Sequence, residues 1–109
     1  MKQSPIFVKT YDFTKWLLEH TIKFPKSQRF VMGKRLETVV LDFYDLMIES
    51  GKTQDNKLIL VKADLTLEKM RLYLRLCQDL QLFSYKQYEY AYREVNEIGC
   101  LLGAWIKKG

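Results

Sequence analysis

A chain of 109 residues, 48% hydrophobic and 28% charged with only five glycines and two prolines, has the composition of one compact globular domain spanning residues 1–109. Its net charge of +5 favours an anionic partner, whether nucleic acid, an anionic membrane or an acidic protein. The composition excludes disorder. The opening Met1 to Val8 is too short an apolar stretch for a signal peptide, and the uncharged run Ile98 to Ile106 is far below the roughly 20 residues of a membrane span. A cytoplasmic protein without membrane association is the expectation.

Four helical segments are predicted, with no strand-like alternation to compete with them. The first, about Lys9 to Lys23, presents Tyr11, Leu18 and Ile22 on one side with Phe13, Leu17 and Phe24 beside them, leaving Asp12, Lys15 and Glu19 to water. Pro25 stops it, because proline lacks an amide hydrogen and disfavours helical geometry in the residue before it. Ser27 is the expected cap of the second helix, about Gln28 to Ser50. That helix carries Met32, Leu36, Val39, Phe43 and Leu46 at alternating steps of four and three, the seam of a bundle. Gly51 is the expected stop.

The third helix, about Asn56 to Leu80, repeats the rhythm with Leu60, Ala63, Leu67, Met70, Leu74 and Cys77. A second apolar row, Leu65, Leu72, Leu76 and Leu80, predicts it to be the most buried of the four. The fourth, about Ser84 to Lys107, runs Tyr88, Ala91, Val95, Ile98, Leu102 and Trp105, with Ser84 placed to cap it and Lys107 and Lys108 at its negative end. Four helices with short connections pack as an all-α, antiparallel up-down four-helix bundle.

The joint between the first two helices concentrates charge. From Lys23 to Arg35 there are five cations, Lys23, Lys26, Arg29, Lys34 and Arg35, and no carboxylate. Cations at a helix N-terminus oppose its dipole, so they point outward to a polyanion. On the third helix Arg71 and Arg75 lie one turn apart within the stripe Asp64, Glu68, Arg71, Arg75, Asp79, which reads either as intrahelical charge pairing or as a phosphate clamp with Tyr73 nearby to stack on a base.

Catalytic and metal sites are not expected, and no cofactor is implied. His20 is the single histidine, no residue sits in a nucleophile elbow, and no glycine-rich phosphate loop is present. Asp42, Asp45 and Glu49 share one helix face in the ordinary spacing of a solvated stripe. Cys77 and Cys100, each in an apolar helical pattern without zinc-ligand spacing, read as reduced core residues. Six Phe, seven Tyr and two Trp exceed what one small bundle readily holds. The tyrosines crowded into the fourth helix, Tyr85 and Tyr88 among them, therefore suggest a protein interface. Gly99 and Gly103, four residues apart, form a bare strip that serves either another helix or tight packing within the bundle.

Three stretches in order, Phe24 to Phe30, Ala63 to Arg75 and Glu97 to Ile106, resemble the accessory variability determinant (Avd) proteins of diversity-generating retroelements. These belong to a wider four-helix-bundle group that includes the 23S rRNA intervening-sequence proteins. The resemblance covers nearly the whole chain. It implies a homopentameric barrel of bundles whose basic surface binds the element's reverse transcriptase together with RNA and DNA, supporting error-prone copying of template RNA into cDNA. By position it assigns this binding to Lys26, Arg29, Arg71 and Arg75. The sequence closes at Trp105-Ile106-Lys107-Lys108-Gly109 without the longer basic tail of better-known members, which implies a smaller tail contribution. The alternative is an intervening-sequence-type bundle, an RNA-binding or structural oligomer with no polymerase partner.

Overall fold

Proline 5 fixes its own φ and needs no amide partner, so it can open a helix one turn earlier than the apolar periodicity suggests. In the computed structural model, which describes residues 4–108, helix α1 is Pro5–Thr21. Ser4 is its extended N-cap, and the Ser4 carbonyl accepts from the Phe7 and Val8 amides at 3.1 and 3.4 Å. Met1, Lys2, Gln3 and Gly109 lie outside the described residues, and with them the start of the leader reading and the end of the tail. Helix α2 is Lys34–Lys52, entered through a short turn, Lys26–Gln28, and a π-helical turn, Arg29–Gly33. Helices α3, Lys57–Asp79, and α4, Tyr85–Lys108, complete the fold. No strand occurs among the described residues.

Side-chain contacts fix the topology. Phe7 lies on Gly51, Tyr11 meets Tyr44 at 6.4 Å and Thr21 bonds Glu37, so α1 and α2 run antiparallel. Phe7 against Trp105, Lys9 paired with Glu94 and Glu97, and Trp16 against Tyr90 set α4 antiparallel to α1. Arg35 over Tyr73 ties α2 to α3, and Arg71 on Asn96 ties α3 to α4. Each helix therefore has its two sequence-cyclic neighbours beside it, and α3 sits diagonally across from α1.

The seams of α2, α3 and α4 bury as their spacing requires, from Met32 to Leu46, Leu60 to Cys77, and Ala91 to Leu102. Helix α1 buries Phe13 and Leu17 as its pattern predicts, and Phe24 just beyond it, but not the Tyr11 and Ile22 side of that pattern. Its inward face is Ile6, Thr10, Phe13, Thr14, Leu17 and Thr21, while Tyr11 and Ile22 point to solvent. Two of the three threonines are satisfied there, the Thr14 hydroxyl donating to the Thr10 carbonyl at 2.7 Å and Thr21 donating to Glu37 at 3.0 Å, whereas the buried Thr10 hydroxyl has no partner among the described residues.

The second row of α3 also differs from expectation. Leu65 and Leu72 are 56% and 60% exposed, with Leu76 and Leu80 exposed beside them. Only one side of α3 meets α2 and α4, so the opposite side has nothing to pack against among the described residues. Cys77 is buried, and burial pushes its thiol up to about 12, whereas Cys100 is exposed rather than in the core.

Caps and stops follow the local chemistry in some places and not in others. Ser84 and Gln87 exchange side-chain to backbone bonds of 3.1 and 2.9 Å, a complete capping box for α4. Ser27 makes no cap, because Pro25 takes that position and its carbonyl accepts from the Gln28 and Arg29 amides. Gly51 stays inside α2, where a Cβ would approach the Phe7 ring to 3.0 Å, so it seats an aromatic instead of ending the helix. Helix α3 is closed by Gln81 at φ 62°, with the Leu82 amide on the Cys77 carbonyl and the Gln81 amide on Gln78, a Schellman motif.

Candidate nucleic-acid interface

At the end of the bundle where α1 gives way to α2, the chain turns through Ile22 to Pro25 with Phe24 as its anchor. Phe24 is buried and meets Phe83 edge-on at 5.2 Å, and Phe83 in turn stacks on Trp16 at 6.0 Å. The Lys23 and Phe24 amides bond back to the His20 and Thr21 carbonyls at 3.1 and 3.0 Å. An aromatic pinned in the core thus holds a loop whose charged neighbours all face water.

The π-helical turn then sets what this end displays. A π turn inserts an extra residue into the helical repeat, and here Met32 and Gly33 go inward while Phe30 and Val31 are expelled, Phe30 to 72% exposure. Lys23, Lys26, Arg29, Lys34 and Arg35 are exposed around it. Among the described residues, ion pairs join Lys9 with Glu94 and Glu97 and Arg71 with Glu68, and none involves this cluster. Uncompensated cations beside an exposed aromatic ring are the elements of single-strand nucleic-acid binding, an electrostatic groove with a stacking platform.

Arg35 is the member that reaches α3, lying 5.6 Å from the Tyr73 ring centroid in a cation–π contact. The pair closes one end of a cleft between α2 and α3 that also holds Asp42, Asp45 and Glu49 opposite Lys62 and Lys69. The three carboxylates line this cleft together with the two lysines, and no group of three potential metal ligands forms among the described residues.

Arg71 and Arg75 are placed elsewhere, on the α3 edge facing α4. Arg71 is half-buried, donates to Glu68 at 2.9 Å and more weakly to Asn96 at 3.4 Å, and its guanidinium crosses Gly99 so closely that a Cβ there would collide with Nη2. Arg75, one turn on, is exposed. Tyr85, Tyr88, Tyr92, Asn96, Gly99 and Gly103 follow one another at steps of three and four on α4, so they share the face that meets Arg71. The two arginines thus belong with the tyrosines and glycines, separate from the joint. Gly103 has open space over it, whereas Gly99 is covered from within the chain.

Sequence reasoning missed the π turn and the exposed Phe30. Gly33 following a run of large side chains was the available signal, since Gly33 is buried with its Cα toward Phe24 and the Thr21 carbonyl. His20 is engaged structurally, donating through Nδ1 to the Trp16 carbonyl at 2.7 Å and stacking on the indole at 4.1 Å.

Fold and surface together define a small all-α protein of four helices with a cationic end. The chain matches the bAvd-like family over residues 6–109 and belongs to that family. No curated protein matches it significantly. No helix among the described residues is long and apolar enough to cross a membrane.

Proposed function

We propose that this protein is a non-enzymatic accessory subunit of a diversity-generating retroelement, acting in the cytoplasm as a homo-oligomer, a pentamer by family likeness. It binds the element's reverse transcriptase and nucleic acid, template RNA and its cDNA, and so supports mutagenic retrohoming. Membership of the bAvd-like family supports the accessory role. The observation that carries nucleic-acid binding is the cluster Lys23, Lys26, Arg29 and Lys34, exposed without a carboxylate partner around the protruding Phe30. Cations left unpaired by the fold release counterions when they meet phosphates, giving a salt-dependent and largely sequence-independent affinity. The separate Arg71/Arg75 face, with Tyr85 and Tyr92 exposed beside it, suits a protein partner such as the reverse transcriptase.

The test is a titration of labelled RNA and DNA at several salt concentrations, with Lys26→Ala plus Arg29→Ala and with Phe30→Ala. Affinity falls steeply with salt for the unaltered protein, the double variant lowers the slope by about 2, and Phe30→Ala weakens binding with the slope unchanged. A flat salt response overturns this reading. Pull-down of the reverse transcriptase with Arg71→Ala plus Arg75→Ala tests the second face.

A further inference from the structure

At the joint end of the bundle, what the fold turns outward is apolar. Phe30 and Val31 are 72% and 60% exposed on the π turn, and Ile22 is 59% exposed where α1 closes. The backbone beneath them is fixed from inside. Phe24 is buried against Phe83, Met32 is buried, and a Cβ at Gly33 would meet the Phe24 ring at 3.5 Å and the Thr21 carbonyl at 3.6 Å. The space under the turn is thus already filled, and the Phe30 ring has no inward place to occupy. Lys23, Lys26, Arg29 and Lys34 stand exposed around it, and none of the ion pairs among the described residues involves them. The nearest carboxylates along the chain are Glu19 before them and Glu37 after, and Glu37 accepts from Thr21 at 3.0 Å.

An apolar tip ringed by cations fits a ligand that offers flat apolar faces and phosphates together. A duplex offers the phosphates alone, because its bases are paired and stacked inside, and against it the Phe30 ring meets only the sugar–phosphate backbone. An unpaired nucleotide offers both, its phosphate to the lysines and the face of its base to the ring. Charge by itself selects the opposite way, since a duplex carries about twice the charge per unit length of a single strand. We propose that this end of the molecule takes unpaired nucleotides, of RNA or DNA, in preference to duplex, and that Phe30 determines the preference by stacking on a base. Resting on the nucleic-acid reading above, this selection names which form of the ligand is bound. Lys23, Lys26, Arg29 and Lys34 attract both forms, and the aromatic ring separates them. Because phenylalanine has no hydrogen-bonding group, the ring distinguishes unpaired from paired without reading which base it meets.

The experiment measures affinity at one low salt concentration for labelled ligands of equal length: a single strand of RNA, one of DNA, the blunt duplex of each, and an abasic DNA strand. The unaltered protein binds both single strands more tightly than their duplexes. Phe30→Ala and Phe30→Leu lower single-strand affinity by about 5- to 150-fold, leave the duplexes as they were, and so reverse the preference. Phe30→Tyr keeps it. The abasic strand, which has phosphates but no bases, is bound equally by all four proteins. Circular dichroism shows the same helical signal for each, since the substituted side chain is 72% exposed. Duplexes bound as tightly as single strands by the unaltered protein overturn the proposal, and so does a single-strand preference that survives Phe30→Ala. A Phe30→Leu protein that behaves like the unaltered one overturns stacking as the cause. A Phe30 effect seen with vesicles of anionic phospholipid and absent with unpaired strands likewise overturns it. An effect confined to RNA or to DNA strands supports it and identifies the strand taken. A protein that binds neither strand nor duplex at low salt overturns the nucleic-acid reading itself, a result distinct from binding without selection.

Discussion

The guanidinium of Arg71 lies across Gly99, in the space that any side chain at that position would occupy. The two helical glycines of α4 are thereby distinguished, because nothing lies within 4 Å of a Cβ at Gly103. Gly103→Ala is expected to raise the stability of the monomer by about 0.5–1 kcal/mol through helix propensity and reduced chain entropy. Gly99→Ala gains the same propensity but displaces Arg71 from Asn96, so its melting temperature changes less, and Arg71→Ala costs less in the Gly99→Ala background than alone. Thermal unfolding of the four proteins as a double-mutant cycle measures this.

Phe24→Ala is expected to cost about 3–5 kcal/mol, because it opens a cavity against Phe83 where the joint is anchored. The same change frees the loop that carries Lys23 and Lys26. Urea unfolding gives the stability change, and hydrogen exchange at residues 22–33 should rise more than in α3.

Gln81 adopts a left-handed conformation, at φ 62°, that costs a non-glycine residue about 1 kcal/mol. Gln81→Gly relieves this within an intact Schellman motif, and the expected gain is up to about 1 kcal/mol in chemical denaturation. Ser84→Ala, three residues later, breaks the capping box and should lose about 1 kcal/mol.

The two cysteines should react in sequence. At pH 8 Cys100 is alkylated at once, while Cys77, buried with its thiol raised to about 12, is modified only as the bundle unfolds. The raised value also gives a pH dependence. Above the ordinary 9.0 an unfolded chain releases the Cys77 proton and the folded one retains it, so stability falls as pH rises from 9 to about 12. Lys9, raised chiefly by its hydrogen bond to Glu97, acts in the same direction: its stabilisation is complete below 10.5 and is lost as pH climbs through the folded value. Tyr90, raised chiefly by burial, acts in the same direction above 10.0, so denaturant midpoints across pH 7–11 with and without Cys77→Ala isolate the cysteine's share from that of the other two.

The sequence by itself determined the four helices and the inward seams of three of them, because side chains at steps of three and four must share a helix face wherever the helix lies. It also determined the cap at Ser84, a matter of four consecutive residues, and the concentration of five cations from Lys23 to Arg35 with no carboxylate among them. Periodicity, however, reports only that an apolar row exists. Whether Leu65 and Leu72, or Tyr11 and Ile22, are covered depends on how many neighbours each helix has, and with α3 and α1 each flanked on two sides only, a second row must face out. Tertiary structure alone likewise placed threonines in the α1 core, gave Gly51 to Phe7 and Gly99 to Arg71, and assigned Arg35 and Arg71 to different faces. Each of those outcomes turns on what a neighbouring helix brings to the same point in space, and a linear pattern carries no record of that.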